Sequence, residues 1–364
     1  MRFFSAVKAP KIFLTQKAQE FFYIIGLLQK KHFLCIDEKL PQEIQRSLTD
    51  HMLSRRNVRI KVMQMLYSMS RDKKLGYEEA LRQYRNNVRE SFELYLFCLL
   101  QLVRIAEYAR QDGANRAAKL LPNDEDVRFS SKLATNELTR SLSGNEGFKR
   151  LVKLFKLEEK TDEDTYRRLY AEFAKSEEYK TYVYNTDTDH DNDAHRQMLL
   201  TLYRHCMDSE TFNELLEDNY PLWTDDESLI IGAMKKTIKA LPATSDFYEE
   251  YRPGAETTVE FGEALFKIVT ESDQELFQII EPTLKNWDAE RVAVLDMIML
   301  KMALCELLHF PTIPTKVTLN EFVEISKMYS TDKSKDFING ILDRLMKQLH
   351  KEGKIKKEGR GLME

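Results

Sequence analysis

The sequence predicts an all-α protein. Glycine and proline are scarce, with 12 and 9 among 364 residues, whereas sheet-rich folds need both in their turns. Hydrophobic residues make up 43% of the chain and charged residues 31%, which suits a buried core with a charged surface. In several stretches, apolar residues recur at the three- and four-residue spacing of an amphipathic helix. A chain of this length is expected to form two or three domains.

The composition also limits the class of protein. The net charge is −4, so any surface for nucleic acid must be local. The four cysteines, Cys35, Cys98, Cys206 and Cys305, are far apart and form no C-x-x-C pair. That pattern indicates neither a disulfide framework nor a zinc site and is typical of a reducing cytosol. The longest early apolar run, at 21–28, is too short to cross a bilayer, so we expect a cytoplasmic protein with no membrane partner.

Residues 1–51 differ in character from the rest of the chain. They mix Phe, Lys and Gln and end in a polar stretch just before Met52. Two interpretations stay open at this point. The segment is either an extension upstream of a working start at Met52 or an ordinary N-terminal helical appendage.

The stretch that follows Ser54 predicts an amphipathic helix. Ser54 is a suitable N-cap because its hydroxyl can accept a hydrogen bond from an otherwise unpaired amide of the first turn. The apolar positions after it have helical spacing. They are Val58, Val62, Met65, Leu66 and Met69.

This helix begins with a cluster of cations. Arg55, Arg56, Arg59 and Lys61 fall within eight residues that contain no acid. Cations at a helix N-terminus oppose the helix dipole by about 0.3–1 kcal/mol each at exposed sites, so stability of the fold alone does not favour them. Such a local excess predicts an anionic partner, and nucleic acid is the first candidate. The alternative is an ordinary solvated helix start.

The middle of the chain is also predicted to be helical. An acidic stretch lies at 186–227, and a Pro- and Gly-containing break lies near 241–254. The helices are expected at 86–110, within 124–184, at 208–218 and at 226–240.

The last hundred residues predict a further run of helices. Apolar spacing indicates one helix from Phe261 to about Lys285 and another from Leu295 to Cys305. A loop with two prolines at 310–314 stops the second of these. Thr318 and Glu321 have the spacing of a capping box, so the next helix is expected to begin at Thr318. A final apolar stripe closes the chain.

No pattern typical of a catalytic or cofactor site occurs in the sequence. The glycines fit neither G-x-G-x-x-G nor G-x-x-x-x-G-K-[ST], and G-x-S-x-G and H-E-x-x-H do not occur. The acidic run at 187–193 is similar to a calcium loop, but Asn192 stands where glycine is needed and Met198 where a bidentate glutamate is needed. We therefore expect a flexible acidic loop, no metal and no cofactor.

Two blocks of sequence resemble the NusB transcription antitermination family. Residues 54–67 are similar to the N-terminal helix of that family, and residues 286–345 are similar to its C-terminal half. The strings that carry the second similarity are Asn286–Trp287, Met299–Leu307, Pro314–Glu321 and Phe337–Asp343. The chain is much longer than a typical member and is similar to the enlarged, Bacteroides-type members.

The resemblance implies a NusB-like pair of helical bundles with a large helical insertion after the first family helix. The resulting division of the chain is an N-terminal extension, the arginine-rich first helix, an insertion that includes the second family helix, a C-terminal bundle and a basic tail. The corresponding ranges are 1–51, 52–70, 71–255, 256–350 and 351–364.

The resemblance also implies a function without catalysis. It implies binding of single-stranded boxA RNA in ribosomal RNA leaders, pairing with the small-subunit ribosomal protein NusE, and entry into the RNA polymerase antitermination complex. Tyr67, which falls at a family RNA position, could equally be a core residue. By themselves, Asp296 and Asp332 would be solvated acids. The implied RNA-binding residues are Arg55, Arg56, Asn57, Arg59, Gln64 and Tyr67, and the implied NusE-binding residues are Asp296, Asp332, Phe337 and Asn339.

Two other classes of function stay open at this stage. One is an rRNA-modifying system of the methyltransferase type, since NusB-like domains also occur fused to such enzymes. That class needs a glycine-rich cofactor loop and a nucleophilic cysteine, and neither is visible in the sequence. The other is a protein-only helical scaffold, in which the arginines are merely solvated.

Overall fold

The computed structural model describes residues 53–284, 292–331 and 333–362. Within these ranges the regular elements are helical and no β-strand is present, which confirms the all-α prediction. The expected extension at 1–51 and the predicted site residue Asp332 lie outside the described residues.

The α-helices follow one another with short connections, and a π-helix at Glu256–Glu263 lies between α11 and α12. In chain order they are α1 (Arg55–Arg71), α2 (Tyr77–Ala117), α3 (Asp124–Arg128), α4 (Lys132–Thr135), α5 (Glu137–Ser143), α6 (Glu146–Leu154), α7 (Glu163–Phe173), α8 (Glu177–Tyr184), α9 (Asn192–Asp208), α10 (Glu210–Asn219), α11 (Trp223–Lys239), α12 (Ala264–Glu271), α13 (Asp273–Ile280), α14 (Val294–His309), α15 (Thr315–Tyr329) and α16 (Ser334–Lys351).

Helix α1 begins where the sequence predicts. The Ser54 hydroxyl accepts a hydrogen bond from the Asn57 amide at 3.3 Å, and Asn57 Oδ1 accepts one from the Ser54 amide at 3.2 Å. The two residues therefore form a reciprocal capping box that satisfies two backbone donors. The N-cap prediction is confirmed, and Asn57 completes the cap.

The helices enclose two separate hydrophobic cores. The terminal core joins α1 and the Ala80–Val88 part of α2 to the π-helix and α12 to α16. The central core joins the remainder of α2, from Phe92 onward, to α4 to α11. Helix α2 is 41 residues long and contributes to both cores. The Ala80–Val88 part is thus the stretch between 71 and 255 that completes the bundle around α1.

Polar contacts at the start of α11 connect the two cores. Lys61 Nζ of α1 donates to Asp226 Oδ2 at 2.9 Å, and both side chains are buried. The neighbouring carboxylate, Asp225, accepts from Gln64 Nε2 at 2.7 Å and from the Tyr329 hydroxyl at 2.8 Å. Burial raises the pKa of Asp225, and the two hydrogen bonds oppose that rise. These three contacts are called the junction below.

The π-helix approaches α1 and α2 closely because Gly262 has no side chain. A Cβ atom at this position would overlap the Tyr84 hydroxyl and a methyl group of Val58. The close approach lets the Tyr84 hydroxyl donate to the Thr258 carbonyl oxygen at 2.8 Å. Replacement of Gly262 by any larger residue would push the π-helix away from α1.

Three predicted helix boundaries differ from the structure. The helix expected at 86–110 extends over 77–117, and the single helix expected from Phe261 to Lys285 is divided among the π-helix, α12 and α13. The predicted capping box at Thr318 is wrong, because α15 already begins at Thr315 after Pro314. Thr318 lies inside that helix, where its hydroxyl donates to Glu306 instead.

Candidate nucleic-acid interface

The first turn of α1 presents two arginines to solvent. Arg55 pairs with Glu256 at 3.0 Å, and the Arg55 side chain is 39% exposed. Arg56 makes a two-pronged contact with Glu321, with Nε and Nη2 at 2.9 and 2.7 Å from the two carboxylate oxygens, and is 44% exposed. The hydrogen bond to Glu321 raises the pKa of Arg56, against the opposing effect of burial. Both guanidinium groups are therefore accessible to a ligand.

Arg59 lies one turn further along and is buried. Its Nε and Nη2 atoms each lie 2.7 Å from an oxygen of Glu306, and the two side chains are 2% and 0% exposed. The guanidinium also lies over the Phe261 ring, 5.1 Å from its centroid, and Thr318 donates a further hydrogen bond to Glu306 at 2.7 Å. Buried charges need this complete pairing.

The cluster of cations at the start of α1 was expected to meet an anionic partner, and that expectation is wrong for Arg59, which is buried. The physical reason is that Arg59 faces α14, where Glu306 is the buried acid that neutralises it. The sequence carried a signal for this pair, since Glu306 is a single acid inside the apolar run at 297–308. A lone acid on an apolar helix indicates a buried cationic partner, but the sequence does not say that the partner is 247 residues away.

The other predicted RNA-binding residues make contacts within the chain and are only partly accessible. Asn57 is half-buried and holds the N-cap of α1. Gln64 is half-buried and donates to Asp225 at the junction. Tyr67 packs partly against the terminal core and keeps part of its surface accessible. Their roles in RNA binding stay predictions.

The second predicted surface surrounds the start of α16. Asp296 was expected to be solvated, but it is 5% exposed. Its two oxygens accept from the hydroxyls of Ser330 at 2.6 Å and Ser334 at 2.8 Å, so it ties the start of α14 to the start of α16. The expectation of a solvated Asp296 is therefore wrong. Phe337 is partly buried against the terminal core, and Asn339 is exposed on α16.

The acidic stretch that is similar to a calcium loop folds onto its own chain. Asp189 pairs with Lys132 at 2.9 Å. His195 is buried, with Nδ1 at 2.7 Å from the Tyr182 hydroxyl and Nε2 at 3.2 Å from the Asp189 carbonyl oxygen. Within the ranges that the structure covers, no group of three or more His, Cys, Asp or Glu side chains is arranged to hold a metal ion.

No helix among the described residues is long and apolar enough to cross a bilayer. Cys98, Cys206 and Cys305 are buried free thiols. Burial raises the pKa of Cys206 to about 12, so its thiolate is scarce at neutral pH.

Comparison with known proteins places the similarity in the last part of the chain. A family model described as the NusB family matches residues 231–347. That segment includes the end of α11, the π-helix and most of the terminal core, while α1 lies outside it. No solved structure matches the chain significantly.

Curated relatives carry the same description. A protein of Salinibacter ruber named transcription antitermination protein NusB is 41% identical over 107 residues, which are 29% of this chain and 67% of that relative. Proteins of the same name from Chloroherpeton thalassium and Natranaerobius thermophilus are 39% identical over 103 residues and 45% identical over 83 residues. These alignments cover 28% and 22% of this chain, and the chain spans only 49% and 60% of the length of those two relatives.

Proposed function

Because the chain belongs to the NusB family, we propose that it is a transcription antitermination factor that binds single-stranded boxA RNA of ribosomal RNA leaders. In this proposal it acts in the cytoplasm together with NusE, joins the RNA polymerase antitermination complex and carries out no catalytic step. The observation that carries the proposal is the position of Arg55 and Arg56. They are two exposed guanidinium groups on a helix that packs directly against the segment matched by the family.

Helix α1 lies outside the matched segment, so its relation to that segment rests on contacts. The buried Arg59–Glu306 pair fixes α1 against α14, and Arg56 reaches Glu321 of α15. Both acids belong to the matched range. Arg59 is therefore proposed as a positioning residue, which holds the two exposed arginines in place and does not itself contact RNA.

The two exposed arginines suit a single-stranded RNA ligand in different ways. Arg55 and Glu256 form a surface ion pair, which contributes only about 0–1 kcal/mol, so a phosphate can displace Glu256 at little cost. Arg56 stays oriented by Glu321 and keeps further N–H donors for phosphate or base edges. Asn57, Gln64 and Tyr67 remain proposed contacts, and Gln64 must release Asp225 to reach a base.

The proposed NusE surface is the start of α16 with the segment before it. Asp332, Phe337 and Asn339 are the proposed contacts, and their acidic, aromatic and amide groups suit a basic protein partner. Asp296 is proposed as a positioning residue, because its carboxylate is buried under Ser330 and Ser334.

The direct test is an electrophoretic shift of boxA RNA, with and without NusE, against a scrambled RNA of the same length. We expect the double variant Arg55→Ala and Arg56→Ala to weaken boxA binding by roughly tenfold or more and to reduce its salt dependence. The matched control is Arg167→Ala with Arg168→Ala, two exposed neighbouring arginines on α7. Equal affinity of the double variant and the wild type, with unchanged helical circular dichroism, would contradict the proposed site.

A further inference from the structure

A groove lies along α2, where the terminal and central cores adjoin. It has a volume of about 620 Å³ and is formed by one face of α2, the end of α6, the loop before the π-helix and the π-helix itself. The side chains that give it its chemistry are Arg85, Arg89, Phe155, Arg252, Val259 and Glu263. Its lining comes from both parts of the chain, so this groove exists only where the additional helices, α3 to α11, meet the bundle that contains α1.

The groove has an excess of positive charge. Arg85 is held by Glu263 through two hydrogen bonds of 2.8 and 2.6 Å, and Arg252 is held in the same way by Glu249 at 2.8 and 2.9 Å. Arg89 is exposed and makes no ion pair with any residue that the structure describes. Three guanidinium groups and one carboxylate therefore line the groove.

Flat and apolar surfaces accompany these charges. The Arg252 guanidinium lies over the Phe92 ring at 5.2 Å from its centroid. Phe155 packs edge-on to Phe92 and keeps part of its surface accessible, with ring centroids 6.3 Å apart. Val259 is 47% exposed and forms the opposite wall.

Charges, a guanidinium plane and an accessible ring are the features that bind single-stranded nucleic acid. A positive groove follows the phosphates, while bases stack on aromatic rings and on arginine planes without a strong sequence preference. An acidic peptide would match the positive charge of the groove, but it has no bases to stack on the Arg252 guanidinium and the Phe155 ring. The lining therefore favours RNA.

The π-helix links this groove to the arginines of α1. Its first residue, Glu256, pairs with Arg55, and its later residues Val259 and Glu263 line the groove. The two surfaces are thus separated by less than the length of an eight-residue helix, which is on the order of 10 Å.

We propose that this groove binds the single strand that continues from the RNA held by Arg55 and Arg56. This proposal rests on the proposed function, because it takes the RNA to be held at Arg55 and Arg56. It gives the additional helices the role of extending the RNA-binding surface. The recognition is by phosphate charge and base stacking, so it tolerates any sequence in the flanking strand.

The test uses three single-stranded RNAs and binding measured by fluorescence anisotropy on the full chain. The first RNA is boxA alone, the second is boxA with a flanking strand of mixed sequence, and the third is a mixed-sequence strand without boxA. The groove variants are Arg89→Ala and Val259→Glu. Their matched controls are Arg168→Ala on α7 and Val127→Glu on α3, where Arg168 and Val127 are also exposed.

We expect the flanking strand to raise the affinity of the wild type roughly fivefold or more, and both groove variants to lose that gain while they keep the affinity for boxA alone. The control variants should keep the gain, and all variants should keep the helical circular dichroism. Weaker salt dependence for the extended RNA in Arg89→Ala, by about one unit of the log–log slope, would further support a phosphate contact.

The outcomes separate this proposal from the proposed function. If boxA binds but the flanking strand adds nothing, or its gain survives in both groove variants, the groove proposal is overturned and the proposed function stands. If the third RNA binds through the groove but boxA shows no preference, the groove stands and the proposed function fails. Adenosine monophosphate is also tested as a competitor of the flanking strand. If this mononucleotide alone accounts for all binding at the groove, the groove is a nucleotide pocket, and the proposal is overturned. If no RNA binds, both are overturned.

Discussion

The two hydrophobic cores satisfy their interior polar groups in different ways. The terminal core encloses the opposite charges of Arg59 and Glu306, each fully paired. The central core uses neutral groups, such as the hydroxyls of Tyr95 and Thr237 at 2.7 Å, together with ion pairs in which one partner is partly exposed, such as Lys132–Asp189 and Lys160–Glu93. Among the described residues, the buried side-chain polar atoms without a hydrogen-bond partner all lie between residues 101 and 251, in the part of the chain that forms the central core.

This difference has an energetic meaning. A buried ion that loses its partner costs about 3–5 kcal/mol, whereas an unpaired neutral group costs about 1–3 kcal/mol. The terminal core therefore tolerates only one arrangement of α1 against α14, and the central core has more freedom. Helix α1, which holds Arg55 and Arg56 in a fixed position, therefore packs in the core that allows less movement, the terminal core.

The strongest test of this difference is Arg59→Ala. We expect it to lower the free energy of unfolding by about 3–5 kcal/mol, because Glu306 would remain buried without its cation. Urea denaturation followed by circular dichroism measures the change. The control is Arg56→Ala, whose exposed ion pair should contribute only about 0–1 kcal/mol. If both variants lost the same stability, the contrast between buried and exposed arginines would be wrong.

A smaller effect is expected from two tyrosines of the central core. Tyr95→Phe removes a buried hydrogen bond with Thr237 and should cost about 1 kcal/mol. Tyr203→Phe should be neutral or slightly stabilising, because the buried Tyr203 hydroxyl has no partner among the described residues. The same denaturation experiment compares them. An equal loss for the two variants would mean that a bound water satisfies Tyr203, and the central core would then resemble the terminal core.

The smallest effect is expected from titration of His195. Burial lowers its pKa, against the hydrogen bond to the Asp189 carbonyl. The folded-state pKa thus lies below the unfolded value of about 6.5, so the stabilising contribution is full above that pH and is lost as the pH falls through the folded pKa. Protonation of Nδ1 would also abolish its acceptance of the Tyr182 hydroxyl.

Melting temperatures between about pH 7.5 and pH 5 measure this contribution. We expect His195→Gln to show a flatter decrease toward acid than the wild type. His350→Gln, at an exposed position on α16, is the matched control and should keep the wild-type profile. A wild-type slope in His195→Gln would assign the acid sensitivity to other groups.

Sequence reasoning predicted the helices better than their ends. Ser54 and the stripe behind it locate α1 correctly, because a cap and a period of 3.6 residues are local properties. The expected start at Thr318 is wrong because α15 already begins at Thr315, and the Thr318 hydroxyl donates to Glu306 instead of capping the helix. The division of the expected 261–285 helix depends on the approach of the π-helix to Tyr84, which is a tertiary contact.

The candidate site was predicted in part for the same reason. The cationic composition of α1 is visible in the sequence, and Arg55 and Arg56 are exposed as that interpretation requires. The burial of Arg59 and Asp296 is not visible, because it depends on Glu306 for one and on Ser330 and Ser334 for the other. The groove is not visible in the sequence either, because its lining comes from four separate segments of the chain.

Helix α2 connects the additional helices rigidly to the end of the molecule that carries the proposed RNA-binding arginines. Its 41 residues form one uninterrupted rod of about 60 Å. A bend between the two ends of α2 would break main-chain hydrogen bonds of the helix. A displacement of one end of α2 is therefore transmitted to the other end. The far end leads into the fully accessible Leu120 and Leu121. The helix therefore holds this distant tip at a fixed distance from the arginines of α1.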